Sequence, residues 1–506
     1  MTTQINRRIA IIGGGASGAL TALNLLRSGG AGGDKDGDID VTVFEPSGRV
    51  GLGVAYATTD SNHLLNVRAG NMSAFPDAPG DLVEWAHASG IQLAATDFLP
   101  RRDYGRYLQD RLGQAGKDRP GQFHVVAARV CDIERIGDKY RVSVTPDAAA
   151  GVVAGAGQPP GASVGADTQE TADTPETPDV PGAGGAAQAG DFDAVVLAYG
   201  NPPLRPLAVG GALLPQANWH LANPWDFARL AALPDDATIV LVGSGLTAVD
   251  LAISLLTGQP KRKVIMVSRN GLLPHAHLDG PPQTWDTTLP PTPFTAHELA
   301  QHIAAQAEAA AAQGIGWRAV VDGLRPKTQA VWQALAPKER QNFLNNYART
   351  WEVRRHRMAP EVAAKIAAFR QAGQLQVLAG GISSISPDAD ADGGADPKGS
   401  TAGATVELAG GSVHADVIVN CTGPASDLTR GINPLVDALL ARGYAAPDEL
   451  GVGLSANAAG QVLAPDGKPT PGLYLIGPPL KGTLYESTAI PEIRVQAANL
   501  AARLSR

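Results

Sequence analysis

Two stretches of this sequence read the same way, and their repetition constrains the fold more than any other feature. In RIAIIGGGASG the apolar run Ile9, Ala10, Ile11, Ile12 ends in Gly13, Gly14 and Gly15, with Gly18 three residues further on. In ATIVLVGSGLTAVDLAISLL an apolar run again meets Gly243, Ser244 and Gly245, with Ala248 where a third glycine would stand. Each reads as a strand, a tight turn and a helix start. The first glycine supplies the turn's backbone angles, the second lets a pyrophosphate approach the main chain, and the third lets the helix lie on the strand. Phosphate then meets free amides and the positive dipole end of the helix, at Ala16 and Ser17 in the first copy and Leu246 and Thr247 in the second.

The surroundings support the pattern. A helix is expected over 19–27, stopping at Ser28-Gly29-Gly30, and the β-branched run 39–44 ends in the carboxylate of Glu45. An acid is expected about 20 residues after the glycines, and the extra spacing matches the loop 29–38. Glu45 can therefore accept hydrogen bonds from an adenosine ribose. In the second copy the strand 263–267 is followed by Ser268-Arg269 in place of the acid. A guanidinium there suits the 2′-phosphate of NADP; the other reading is a solvated loop arginine. The chain is expected to bind two dinucleotides.

Bulk properties narrow the partners. At 506 residues the chain has room for two or three domains, and a net charge of -8 with no Lys/Arg-rich run argues against nucleic acid. Small molecules are the expected partners. Cys131 and Cys421 are the only cysteines, too few for a disulfide framework and not spaced as a redox pair. No signal-peptide segment fits before the first strand and no run of about 18 apolar residues occurs, so a soluble, cytoplasmic, membrane-free protein is expected.

Between the two turns, the irregular segment 46–72 is expected to wrap a ligand, with Gly51 and Gly53 allowing close backbone approach and His63, Asn66 and Arg68 as polar contacts. For His63 two readings stand, a satisfied structural histidine or a catalytic one. Helices are expected over 81–89 and 103–112. Arg101 or Arg102 could hold a phosphate or acidic substrate, or be solvated. Segments 123–130, which includes Val130, and 140–144 read as a strand hairpin. The stretch 146–190 is almost wholly small and polar, so a disordered insertion is expected, with a second such tip at 387–403. Strand 193–200 closes the first unit, and WHLANPW at 219–225 reads as a connector to the second.

In the second unit, helical periodicity over 296–313, 326–336 and 337–357 suggests a cap over the site, a candidate wall for a substrate. Arg354-Arg355-His356-Arg357 either faces an anion or forms a solvated helix face. His275 and His277 lack companions at metal spacing, and no metal site is expected. Strands are expected at 375–378, 405–408 and 413–420, the last ending at Gly423. After a final strand closing on Gly477, Glu486 precedes a helix from Ile490, whose N-terminus can place positive dipole near the pyrimidine end of a flavin.

Taken together, GGGASG at 13–18, GLGVAY at 51–56, HLLNVRAGNMS at 63–73, LPRRDYGRYL at 99–108, RRHRMAPEVA at 354–363 and LIGPPLKGTLYESTAIPEIRVQA at 475–497 resemble the FAD/NAD(P)-binding flavoproteins grouped with flavin-containing monooxygenases and amino-acid N-hydroxylases. The resemblance implies an α/β chain of two Rossmann-like, glutathione-reductase-like domains with a helical insertion. It assigns 1–205 and 424–506 to FAD, and 235–423, with cap 296–357, to NAD(P)H. It implies that Gly13, Gly15, Ala16, Ser17, Gly18, Glu45, Gly53, Val130, Glu486 and Ile490 hold FAD. Asn66, Met72 and the Gly477 loop would lie near its isoalloxazine. Gly243, Gly245, Leu246, Thr247, Ser268, Arg269 and Gly423 would hold NADPH, with Asn66, His63 and Arg355 as catalytic candidates. The implied chemistry is hydride transfer from NADPH to flavin, then oxygen activation as a C4a-hydroperoxide that oxygenates a small nucleophile such as an amine or amino acid. No FxGxxxH stretch of the kind that marks Baeyer-Villiger enzymes and many flavin-containing monooxygenases occurs, which weighs against both activities. Two alternatives stay open: a flavin reductase serving a quinone or protein partner, and a nucleotide-binding redox sensor.

Overall fold

The apolar runs before the glycine turns become central strands of two parallel sheets in the computed structural model, which describes residues 7–28, 39–145, 187–388, 403–408, 410–425 and 433–506. β1 (Arg7–Ile12) and β2 (Ile39–Phe44) pair in parallel, with α1 (Ala16–Ser28) between them in the chain. The segment expected to wrap a ligand contains α2 (Gly53–Tyr56). Beyond it α3 (Asp81–Ala88) and α4 (Arg101–Asp118) lead to β3 (Phe123–Val126), which joins β2 in parallel. β4 (Arg129–Ile136), β5 (Lys139–Thr145) and β6 (Ala187–Phe192) form a separate antiparallel sheet, and β7 (Ala194–Leu197) returns beside β1.

β1 shows why the run is apolar throughout. Ile9 and Ile11 enter one core with Leu20, Leu23 and other helix residues, whereas Ala10 and Ile12 enter another with Phe44, Tyr140 and Phe192. Successive strand residues face opposite sides, so a strand covered on both faces shows no polar alternation. Each full burial of such a side chain contributes about 1.5–3 kcal/mol, which fixes β1 at the sheet's centre.

Two expectations here are corrected. The hairpin arm opposite Tyr140–Val144 is β4, not 123–130, because Phe123–Val126 pairs with β2 instead. Of the expected insertion, 146–186 lies outside the described residues, but 187–190 belongs to β6 and pairs with β5. Its Ala, Gln and Gly composition carries little strand preference; the ladder and the burial of Phe192 against Phe44 hold it.

The second unit begins with the small hairpin β8 (Ala208–Val209) and β9 (Ala212–Leu213). β10 (His220–Leu221) comes next, so the expected connector contains an edge strand. After α5 (Phe227–Ala231) come β11 (Thr238–Val242), α6 (Leu246–Leu256) and β12 (Lys263–Ser268), the second strand–turn–helix copy. The cap is more divided than periodicity suggests: α7 (Ala296–Ala311), α8 (Trp317–Leu324), α9 (Thr328–Ala334), α10 (Pro337–Asn346) and α11 (Ala348–Arg355). Thr295 and Glu298 cap α7 reciprocally, Gly314 turns with φ of 71°, and Pro337 opens α10. α12 (Pro360–Gln371) and β13 (Leu375–Ala379) complete the crossover back to β12.

β14 (Ile382–Pro387), β15 (Ala404–Leu408) and β16 (Gly411–Ala415) form an antiparallel sheet, and residues 389–402 of the expected tip lie outside the described residues. The single strand expected at 413–420 is therefore two, because β17 (Val417–Asn420) crosses to pair with β11. After α13 (Pro434–Ala441), β18 (Gln461–Leu463) and β19 (Pro469–Leu475) the chain ends in α14 (Ile490–Leu504). β19 lies parallel to β7, so the C-terminal end completes the first sheet, in order β18-β19-β7-β1-β2-β3. The second sheet runs β10-β17-β11-β12-β13. No helix of the described residues is long and apolar enough to cross a membrane.

Candidate functional site

The two turns are built alike. The amide of Gly13 donates to the Phe44 carbonyl at 2.9 Å and that of Gly243 to the Val267 carbonyl at 2.8 Å. Both glycines hold positive φ, 105° and 128°, and a Cβ at either would run into a carbonyl, of Ala198 or Cys421 respectively. At Gly18 a Cβ would strike the Gly13 carbonyl, which is why α1 can lie so close. The second glycines differ: a Cβ on Gly15 would meet only the Gly53 Cα at 3.8 Å, and one on Gly245 nothing within 4 Å. At both turns, then, the last glycine of the loop could carry a Cβ without a clash, beside the helix starts at Ala16-Ser17 and Leu246-Thr247.

Segments far apart in sequence converge on the first turn. Gly51 donates its amide to the Gly14 carbonyl at 2.7 Å, and Gly53 sits against Gly15. Gly477 leaves no room for a side chain over the Ser17 hydroxyl, and its amide donates to Gln496 Oε1 at 3.3 Å. Glu45 is aimed at the turn: Oε2 accepts from the Gly14 amide at 3.0 Å and Oε1 from the Ser47 amide and hydroxyl. A carboxylate offers about four lone-pair sites, so one acceptor position remains.

Toward α14 lies a buried ionic cluster that local sequence does not reveal. Arg355 faces Glu486 at 3.4 Å and Glu492 at 3.8 Å, and Arg325 grips Glu492 at 2.6 Å and 2.9 Å. Trp351 donates its indole N–H to Glu486 Oε1 at 3.0 Å. Burial pushes the Glu486 carboxyl up, but Arg355, His356, Trp351 and Arg325 outweigh it and hold it below its ordinary value. Burial, against the pull of Glu486, takes His356 down to about 4. Arg355 thus faces two carboxylates that flank the start of α14, while its Nε and Nη2 make no hydrogen bond among the described residues. Several buried polar atoms nearby have no hydrogen-bond partner among the described residues, namely Arg355 Nε, Ser487 Oγ, Tyr104 Oη and Arg494 Nε. Buried polar atoms are normally paired. Arg494 ties this group to Ser73, next to buried Met72, at 3.2 Å. Asn66 is half-buried; its carbonyl accepts from His277 at 3.1 Å and its side-chain amide has no partner among the described residues.

Other candidates are placed elsewhere. His63 is buried with Nδ1 at 2.9 Å from Thr58 Oγ1 and Nε2 at 2.8 Å from Ser254 Oγ and 3.1 Å from the Asp250 carbonyl. Both ring nitrogens are occupied, as the structural reading of His63 expects, and the ring ties the first unit to α6. Arg101 does likewise, pairing with Asp250 at 3.3 Å, and Arg102 donates to the Thr59 carbonyl. Val130 packs its side chain among Ile133, Tyr140 and Val142. The basic run divides, with Arg357 held by both oxygens of Asp322 and only Arg354 exposed. Among the described residues no cluster of three metal-ligating side chains occurs.

Around the second turn, Ser244 Oγ lies 2.7 Å from Ser268 Oγ and donates to the Leu272 carbonyl at 2.7 Å. Arg349 from the cap reaches the same atoms, at 3.2 Å from Ser244 Oγ and 2.7 Å from the Leu272 carbonyl. No local motif signals Arg349, which sits inside a helical stretch far from the glycines. Arg269 is exposed with no carboxylate partner among the described residues, and Gly423 (φ 86°) follows β17 with open space about it.

Residues 10–155 match a family model described as FAD-NAD(P)-binding. No curated protein matches the chain. Among solved structures it is similar to the ornithine N-hydroxylase of Kutzneria sp. 744, solved with reduced FAD, NADP+ and L-ornithine, at 13% identity over 99% of each chain with a TM-score of 0.60. It is similar to the ornithine hydroxylase of Pseudomonas aeruginosa at 14% identity over 99% of each chain, TM-score 0.61. It is also similar to L-lysine 6-monooxygenase of Pseudomonas syringae at 16% identity over 98% of each chain, TM-score 0.57. The chain therefore shares its fold with these solved structures over nearly its whole length, an α/β fold with parallel sheets as the sequence predicts.

Proposed function

We propose that the chain is an FAD-dependent, NADPH-using monooxygenase that oxygenates a small nucleophile such as an amine or amino acid. The observation that carries this is the asymmetry of the two turns. One has a carboxylate, Glu45, hydrogen-bonded onto it; the other has, after the equivalent strand, the exposed cation of Arg269. A carboxylate suits a ribose 2′-hydroxyl and a guanidinium a 2′-phosphate. The similar folds solved as hydroxylases support the same division.

The residues present fit a flavin at the first turn. The open loop at Gly15 admits pyrophosphate to the amides opening α1, and Glu45 receives the ribose. The unpartnered buried donors at Tyr104, Arg355, Ser487 and Arg494 suit the polar edge of a flavin ring, with Asn66, Met72 and the start of α14 beside it. A bound flavin supplies the redox chemistry, taking hydride from NADPH and activating oxygen. The chain's own part is to bind, orient and keep water out: Trp332, Trp351 and Tyr485 bring aromatic surface to the Glu486 segment.

Two measurements test this. With small amines and amino acids offered in turn, NADPH consumption is expected to yield oxygenated product in proportion; consumption that ends only in peroxide, or that needs a quinone, sinks the oxygenase reading in favour of a reductase. In Arg269→Ala, NADPH affinity should fall roughly tenfold through loss of charge-assisted bonds to phosphate, with NADH unaffected. Equal loss for both nucleotides would remove Arg269 from the 2′-phosphate.

A further inference from the structure

The cap carries an open-mouthed cavity of about 470 Å³ whose lining includes no residue of either glycine turn. Ala300, Ile303, Ala304 and Ala307 of α7 present one helical face to it, at the spacing of neighbouring turns. Trp317 of α8, Trp332 of α9 and Trp351 of α11 supply aromatic wall. Tyr485 forms part of the lining, stacked on Trp332 with ring centres 4.7 Å apart, and is the residue immediately before Glu486. Close-packed interiors leave few voids larger than a water molecule, whereas ligand pockets run to about 300–1,000 Å³. The size marks a ligand site rather than loose packing.

Its charge is one-sided. Among the described residues no Asp, Glu or Lys lines it, and Arg354 is the one arginine that does. Arg354 is exposed, donates only to the Thr350 carbonyl at 3.2 Å, and has no carboxylate partner among the described residues. His275 stands with it, edge-on to Trp317 at 5.1 Å. Burial, then Arg354, Arg318 and Arg357, hold that imidazole below its ordinary value. An ammonium group would find no counter-charge in this lining. An anionic group on an apolar body would find Arg354 for the head and the α7 face and indoles for the body.

From this geometry we infer that the cap cavity binds an apolar molecule with an anionic head, of the class of medium-chain carboxylates, as a ligand distinct from the amine or amino acid that is oxygenated. The binding does not rest on the oxygenase reading.

Calorimetry on the FAD-loaded protein tests it with decanoate and decylamine. Decanoate is expected to bind one per chain, at least tenfold tighter than decylamine. Arg354→Gln should weaken decanoate about tenfold, the scale of a charge-assisted hydrogen bond, and abolish the preference. Ala304→Trp, which fills the cavity, should eliminate decanoate binding while flavin absorbance and NADPH affinity stay as in the parent. If Ala304→Trp fails to fold, Ala300→Phe on the same face takes its place. No decanoate binding by the parent, equal affinity for the two chains, or full binding in the folded plugged variant overturns the site. Absence of oxygenated product from amines and amino acids, with decanoate still bound, would leave the site standing and overturn the oxygenase reading instead.

Discussion

Gly15→Val is expected to strip the flavin from the protein while leaving its fold intact. The two halves of that result come from the same measurement of space. A Cβ at Gly15 meets only the Gly53 Cα, at 3.8 Å, an ordinary contact, and the backbone there needs no left-handed conformation. The added side chain occupies the open side of the turn, where a pyrophosphate reaches the amides of α1. Losing two charge-assisted hydrogen bonds costs about 3 kcal/mol or more, which weakens FAD roughly 100-fold. The variant should purify nearly colourless, with a melting temperature matching the flavin-depleted parent. Gly15→Ala should fall between the two. Gly13→Val and Gly18→Val make the contrast, since their side chains collide with the Ala198 and Gly13 carbonyls and should fail to fold at all. A fully yellow Gly15→Val protein would mean that the first turn does not hold the pyrophosphate.

The glycine turns are legible in the sequence because everything that makes them is local: an apolar strand, a turn and a helix start within one stretch, repeated. The same holds for Glu45, whose position is set by the end of β2. The features that sequence hides depend on partners distant in the chain. Arg325 and Glu492 are 167 positions apart, and His63 meets Ser254 across 191. No periodicity encodes such a pair, so the sequence does not show that Arg355 faces Glu486 and Glu492 or that both ring nitrogens of His63 are held. β6 is hidden for a different reason: its small residues have no strand preference, and only the edge of β5 gives them one. The mistaken hairpin has a related cause. The break between β3 and β4 falls at Ala127-Ala128, two residues that fit the strand pattern on either side, while the pairing partners differ. Arg349 shows the limit most plainly, since its role beside Ser244 exists only because the cap folds over the second turn.

Glu486→Gln should be the most destabilising conservative change near the site, and its cost should depend on pH. The substitution keeps the shape and an acceptor for Trp351, but it leaves the buried Arg355 guanidinium with Glu492 alone, at 3.8 Å and already held by Arg325. Removing one partner of a buried ion pair typically costs about 3–5 kcal/mol. The carboxyl of Glu486 is held below its ordinary value of 4.5, so its contribution is fully present above that pH and is lost as pH falls through the lower, folded-state value. Urea unfolding of parent and Glu486→Gln should therefore give a constant gap from pH 7 down to about 5 and a shrinking gap below 4.5. Pairing it with Arg355→Met should recover part of the loss, because an apolar side chain leaves no uncompensated charge. A gap that is small at pH 7, or that widens on acidification, would show that Glu486 is not ionised in the folded protein. The cluster would then have no electrostatic hold on the segment leading into α14.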